Sequence, residues 1–122
     1  MKIALMSDLH LSVQPMPPPT VNADVVVLAG DLHRPQGAIT WARQFGAVPT
    51  LFVAGNHEFY GGDLSGTVSE LRRHAEGTDV HVLEHDVWQH GSVRFLGCTL
   101  WSDYRLYESP QQRDQGMQQA SA

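Results

Sequence analysis

Short apolar runs alternate along most of the chain with stretches that have helical spacing. Residues 2–6, 24–30 and 49–55 are apolar runs of strand length, and they predict three β-strands. The second run, DVVVLAG, is continuous and rich in β-branched residues, which is typical of a strand buried on both faces of a parallel sheet. Because parallel strands are joined by crossover connections, usually helices, this alternation predicts an α/β fold.

Two amphipathic helices are predicted between the strands. In residues 35–46 apolar side chains recur at helical spacing, Pro35 suits the first turn and Gly46 suits the end. Residues 63–76 carry a second apolar stripe, and Gly77 follows as a stop signal. These are the crossover helices that a parallel sheet requires.

The remainder of the chain predicts further strands and then a tail. A fourth strand is predicted at 79–83, and residues 86–101 are interpreted as two strands joined by a turn at 90–92. The last residues are rich in Gln, poor in apolar side chains and without a period, which is typical of disorder. We therefore expect one domain at 1–109 and a low-complexity, disordered tail at 110–122.

A cluster of polar residues follows each of the first three predicted strands. Residues 7–10 read Ser-Asp-Leu-His, residues 30–33 read Gly-Asp-Leu-His, and residues 55–58 read Gly-Asn-His-Glu. Functional residues of parallel sheets collect in the loops beyond the carboxyl ends of the strands. We therefore expect the three loops to open onto one edge of the sheet.

Five residues in these loops are candidates for metal binding or catalysis. Asp8 and His10 are two positions apart, so their side chains point the same way if the segment is extended. Asp31 adds a carboxylate, Asn56 a neutral oxygen and His57 a second imidazole. Mixed oxygen and nitrogen ligands suit manganese, iron, cobalt, nickel or zinc. The alternative is that Asp and Asn only cap and turn the loops, but three such clusters after successive strands favour a site.

The order of these motifs, DLH, then GD, then GNHE, resembles the calcineurin-like metallophosphoesterases. The segments AGNHEFYG and VRFLGCTLWSDY resemble a bacterial branch of that superfamily, and the resemblance covers residues 1–109. It implies a four-layer α/β/β/α sandwich around two divalent metal ions, drawn from manganese, iron, zinc, nickel and cobalt. It also implies hydrolysis of phosphomonoesters or phosphodiesters by a metal-bound hydroxide.

The resemblance assigns a role to each of the five candidates. Asp8 and His10 would bind the first metal, Asp31 would bridge both metals, and Asn56 would bind the second metal. His57 would lie beside the metals as the catalytic residue and act on the phosphate or its leaving group. The residue types agree with this chemistry, because a carboxylate can hold two cations and an imidazolium can protonate a departing alkoxide.

The family pattern extends beyond the motifs in this sequence. It continues with a lone His and then Gly-His-x-His, and neither follows before Ala122. We therefore expect the N-terminal half of the domain, with only the first parallel or mixed sheet and its helices, and one weak metal site. Such a sheet would expose an apolar face that invites self-association or a complementary chain.

Two functions remain open at this point. The first is a metal-dependent phosphoesterase, truncated, with a phosphate-ester substrate. The second is a non-catalytic truncated domain that binds metal weakly or needs a complementary chain.

Other polar residues near these motifs receive weaker assignments. Glu58 is expected to orient its loop and not to catalyse, and His33 is expected to take a neighbouring role beside the site. His81, His85 and His90 match no motif, so a zinc site there is the less favoured interpretation.

Charge and cysteine content limit the partners and the compartment. The net charge of −5, with only eight basic residues, disfavours a nucleic-acid partner. The single cysteine, Cys98, permits no intrachain disulfide and fits a reducing compartment. No apolar run is long enough for a signal peptide or for a membrane span of ~18 residues. These features predict a cytoplasmic protein without membrane contact.

Overall fold

The computed structural model describes residues 1–106 and 109–120. The strands and helices of this part of the chain are β1 Ile3–Met6, β2 Val25–Ala29, α1 Pro35–Ala42, β3 Thr50–Val53, α2 Leu64–Ala75, β4 Val80–Val82, β5 Asp86–His90, β6 Val93–Gly97 and α3 Pro110–Ala120. Short 3₁₀ turns follow α1 at Arg43–Phe45 and β3 at Asn56–Phe59. Every strand and helix that the sequence predicts up to residue 97 has a counterpart of the same type.

Strands β1 to β4 form a parallel sheet in sequence order. Leu5 of β1 pairs with Val27 of β2, which in turn pairs with Leu51 of β3. Strands β5 and β6 form a separate antiparallel pair, in which Trp88 lies opposite Phe95. The predicted α/β class with a parallel sheet is therefore confirmed, and all four carboxyl ends lie at one edge.

Helices α1 and α2 cover one face of the sheet. Val26 and Leu28 of β2 belong to this face, and both are fully buried. They pack in one cluster with Phe52 of β3, Ile39 of α1 and Leu71 of α2. Because each buried aliphatic side chain contributes roughly 1.5–3 kcal/mol, this cluster is the main stabilising core.

The opposite face of the sheet is covered in part. Leu51 is buried on this face, where Trp88 and Phe95 of the β5–β6 hairpin pack against its cluster. Ile3 and Leu5 of edge strand β1 remain 50% and 68% exposed. The sheet thus has an apolar face open to solvent on the β1 side, and its use for self-association or for a complementary chain stays a prediction.

Helix α2 begins with a side-chain cap. The carboxylate of Asp63 accepts the backbone N–H of Gly66 at 2.8 Å and the hydroxyl of Ser65 at 2.9 Å. Both hydrogen bonds lower the pKa of Asp63 below its usual value, and the one from Gly66 has the larger effect. A lowered pKa stabilises the fold above the pKa of the unfolded chain, and this contribution is lost as the pH falls through the folded-state value.

Residues 110–120 form helix α3, whereas the Gln-rich, aperiodic sequence predicts disorder there. Pro110 occupies the first helical position, where its missing N–H costs nothing. The carbonyl oxygen of Ser109 accepts the N–H groups of Gln112 and Arg113, and the Gln, Arg, Met and Ala residues that follow favour helix. The sequence of α3 has no apolar stripe that could pack against the sheet, and accordingly no residue of α3 is buried. Residues 121 and 122 lie outside the described residues, and the domain boundary at 109 stays a prediction.

Within residues 1–106 and 109–120, none of the helices has both the length and the apolar character that a membrane-spanning helix needs.

Two glycines allow the loops after β2 and β3 to meet. Gly30 has a φ of +86°, and a Cβ there would lie 2.6 Å from the backbone nitrogen of Gly55. A Cβ on Gly55 would in turn overlap the Oδ1 atom of Asp31. The close approach of these loops therefore depends on the absence of side chains at both positions.

We expect Gly30→Ala to destabilise the protein more than Gly46→Ala. Gly46 has a similar φ of +65°, but a Cβ there meets nothing within 4 Å. The Gly46 variant should therefore lose only the backbone strain of its φ of 65° and ψ of −126°, of order 1–3 kcal/mol. The Gly30 variant should lose about 1–3 kcal/mol more, since backbone atoms must move apart. Urea unfolding of both variants measures the difference, and equal losses would show that the loops separate without cost.

Candidate metal centre

The loop after β1 is hydrogen-bonded to the loop after β2. The backbone N–H of Asp8 donates to the carbonyl oxygen of Gly30 at 3.0 Å, and the N–H of His10 donates to that of Asp31 at 2.9 Å. The pairing of the two strands thus continues beyond their ends. It places the DLH motif beside the GD motif, as the strand-end pattern predicts.

A buried carboxylate connects the loops after β2 and β3. Glu58 is 1% exposed. Its Oε2 accepts the backbone N–H groups of Asp31 at 2.9 Å and of Gly55 at 2.7 Å. Its Oε1 accepts those of Leu32 at 2.7 Å and of His33 at 3.1 Å. With four backbone partners, this side chain has the loop-orienting geometry that the sequence analysis expects.

Three of the predicted site residues converge at this edge of the sheet. His10, Asp31 and His57 each offer a ligand atom, and these atoms all lie within 4.8 Å of one another. All three side chains are half-buried. Asp31 is oriented by its Oδ1, which accepts the backbone N–H of His57 at 3.0 Å. The rings of His10 and His57 meet edge to face, with centroids 4.6 Å apart.

The loop residues have a strained backbone. Asp8, His10 and Asp31 have φ values of 54°, 45° and 58°. Left-handed backbone is unfavourable for residues with a Cβ, and such conformations cluster at functional sites. The extended geometry expected for Asp8 and His10 is therefore not what the structure contains.

The other two predicted ligands lie differently. Asp8 is exposed and is not part of the three-residue group. Asn56 is also exposed, and its Nδ2 donates to the hydroxyl of Tyr60 at 3.0 Å. The amide oxygen of Asn56 is therefore the atom with which it would bind a cation.

Residues 1–112 of the 122-residue chain match the family model for calcineurin-like phosphoesterases. The chain belongs to this family. Searches among curated proteins and among solved structures returned no match. The resemblance expected from the three motifs is thus confirmed, and the parallel sheet with its helices and hairpin is consistent with a fragment of this fold.

Calcineurin-like phosphoesterases bind divalent metals, and the donor set of this chain fits such an ion. Two imidazoles and one carboxylate are the mixed ligands that borderline divalent cations prefer. Their mutual separation of at most 4.8 Å is short enough for one ion to reach all three after small side-chain rotations. The residues that could hold a metal are therefore His10, Asp31 and His57.

Sequence reasoning missed two residues beside this candidate centre. Arg34 and Tyr60 line a small cavity of about 50 Å³ together with His10, Asp31 and His57. The guanidinium carbon of Arg34 lies 5.9 Å from the ring centroid of Tyr60, whose ring contacts His57 at 4.6 Å. Position alone could have indicated both, since Arg34 directly follows the Gly-Asp-Leu-His segment and Tyr60 follows His57 by one helical turn.

The remaining histidines do not form a comparable centre. Within residues 1–106 and 109–120, no second group of three His, Cys, Asp or Glu side chains converges in this way. His81 and His90 instead pack their rings against Trp88, at centroid distances of 5.3 and 5.5 Å.

We expect Glu58→Gln to unfold the site. An amide can accept hydrogen bonds only at its oxygen, so two of the four backbone N–H groups would face an NH₂ donor. Hydrogen bonds to charged groups contribute about 1.5–3 kcal/mol each, so a loss of about 3 kcal/mol or more is expected. Chemical denaturation measures it, with Glu76→Gln at the exposed end of α2 as the control. A loss in the Glu58 variant no larger than in this control would contradict the role of Glu58.

Proposed function

We propose that this chain is a metal-dependent phosphoesterase that hydrolyses phosphomonoesters or phosphodiesters. The observation that carries the proposal is the convergence of His10, Asp31 and His57 at the carboxyl edge of a parallel sheet, in a chain of the calcineurin-like phosphoesterase family. Carboxylate and imidazole groups at one point can hold a cation, and a cation is what a phosphate ester requires for charge neutralisation.

The proposed ligands are Asp8 and His10 for a first ion, Asp31 as a bridge, and Asn56 for a second ion. Support comes from the loop pairing that fixes His10 beside Asp31, and from the hydrogen bond that orients the Asp31 carboxylate. We expect one weak site in this chain, because Asp8 and Asn56 are exposed. The chemistry that a bound divalent ion supplies is Lewis-acid stabilisation of phosphoryl oxygens and activation of water.

His57 is the proposed catalytic residue. Its backbone is tied to Asp31, and its ring lies between those of His10 and Tyr60. From this position an imidazolium nitrogen can hold a proton near the leaving oxygen and release it as the ester bond breaks.

Arg34 is proposed to hold phosphate oxygens. It lines the same small cavity as His57, and it is the one Arg or Lys among the residues that line it. A guanidinium presents a planar set of donors that matches phosphate geometry. It can therefore position an anionic substrate beside the metal ligands.

A second candidate function is a domain that binds metal without turnover, or that needs a complementary chain. The exposure of Asp8, outside the three-residue group, favours it. Hydrolysis of para-nitrophenyl phosphate and of its bis-ester by the isolated chain, with manganese present, distinguishes the two functions. Turnover would support the phosphoesterase, and metal binding without turnover would support the second candidate.

We expect Asp31→Asn to weaken manganese binding far more than Asn56→Ala. Asp31 contributes a charge to the site, whereas Asn56 contributes one neutral oxygen. Titration calorimetry should give one weak site in the parent chain and a much larger loss of affinity in the Asp31 variant. Equal losses, or two tight sites in the parent, would contradict these assignments.

We expect His57→Ala to lower the turnover number by about 10²–10⁴-fold while metal content stays nearly intact. A group that acts on the developing charge affects turnover more than binding. The measurement is para-nitrophenyl phosphate hydrolysis with metal analysis of the same samples, and His85→Ala is the matched control because its side chain is 83% exposed.

Loss of metal in the His57 variant would show that His57 is a metal ligand. Its distance from His10 and Asp31 is short enough for that role. An unchanged rate would give His57 a structural role.

A further inference from the structure

A second, larger cavity lies directly beside the metal centre. It has a volume of about 580 Å³ and runs between the loop after β1 and helix α1. One wall includes Leu11, Pro15 and Met16, and the other includes Thr40 and Trp41. We call this cavity the Trp41 groove.

The walls of the Trp41 groove are held together by a hydrogen bond. The indole Nε1 of Trp41 donates to the carbonyl oxygen of Met16 at 2.8 Å. Trp41 is 7% exposed, so its ring is anchored in the core while its edge lines the groove. The loop therefore forms a fixed wall of a preformed site, as small-molecule sites usually are.

The groove shares part of its lining with the small cavity at the candidate metal centre. His33 and Arg34 line both, and the small cavity also contains His10 and His57. The His33 ring fits here because Gly37 has no side chain, and a Cβ on Gly37 would overlap that ring. A molecule held at Arg34 can therefore extend into the groove.

The lining of the groove determines which chemistry suits it. The exposed area of the walls is mainly apolar. Gln36 and Thr40 of α1 and Gln44 of the 3₁₀ turn after it add uncharged hydrogen-bonding groups. Arg34 is its one Arg or Lys side chain, and no carboxylate lines it. Met and Trp side chains favour contact with aromatic rings.

We propose that the Trp41 groove binds the organic group of the substrate, and that this group is an aromatic ring system of about two fused rings. The proposal rests on the phosphoesterase function, since Arg34 would hold the phosphate at one end. The groove volume falls within the roughly 300–1,000 Å³ of small-molecule sites, and a methyl ester would leave it empty.

The test measures binding and not turnover, because leaving groups differ in reactivity. The full chain is titrated in EDTA with 1-naphthyl phosphate and with methyl phosphate. We expect the naphthyl ester to bind about tenfold more tightly or better, since its rings leave water. Equal dissociation constants would overturn the proposal.

Groove-filling variants locate the binding. Thr40→Trp places a bulky side chain at an exposed groove position of α1, and Ala47→Trp is the control at an exposed position outside the groove. Thr40→Trp should remove the tenfold preference, and Ala47→Trp should keep it. Gln44→Trp, in the 3₁₀ turn that follows α1, serves if the Thr40 variant does not fold. A preference that survives groove filling would overturn the proposal.

The outcomes separate this inference from the proposed function. Selective binding of the naphthyl ester without hydrolysis of any ester would support the groove and contradict the phosphoesterase. Hydrolysis of para-nitrophenyl phosphate without selective binding would support the phosphoesterase and contradict the groove.

Discussion

The carboxylate of Glu58 receives four backbone N–H groups from loops that follow two different strands. A buried carboxylate is expensive to desolvate, and its hydrogen bonds largely offset that cost. The main effect of Glu58 is therefore to position the two loops relative to each other. The backbone N–H groups of residues 31–33 and of Gly55 must all point at this one side chain. Because Asp31 is among these donors, the location of this candidate ligand depends on the buried carboxylate of Glu58.

The buried core of the fold offsets the free-energy cost of the strained backbone at the site. Asp8, His10 and Asp31 hold left-handed backbone, which costs of order 1–2 kcal/mol for each residue. The buried strands β2 and β3 and the helices that cover them supply the stabilising free energy. The loops after β1 and β2 keep this unfavourable backbone conformation because hydrogen bonds between them, and the close approach of Gly30 to Gly55, restrict other conformations.

The functional edge and the partly exposed face of the sheet are separate surfaces. The candidate centre lies at the carboxyl ends of the strands, with Arg34 and the Trp41 groove on the α1 side. Ile3 and Leu5 lie on the face opposite the helices, on edge strand β1. A phosphate ester that reaches the candidate ligands from the groove would therefore not compete with a chain that covers this face.

The sequence by itself determined the parallel sheet, the two crossover helices, the hairpin and the edge at which the candidate residues gather. These features follow from periodicity and from turn residues, which are local properties of the chain. Local pattern also underlies the difference in the tail, because α3 forms from helix propensity without the apolar stripe on which the expectation of disorder relied. The tertiary structure alone decided that His57 joins His10 and Asp31 while Asp8 lies apart, and that Arg34 lines both the small cavity and the Trp41 groove. Distances between loops depend on backbone hydrogen bonds and left-handed φ values across residues far apart in sequence, and no local pattern encodes them.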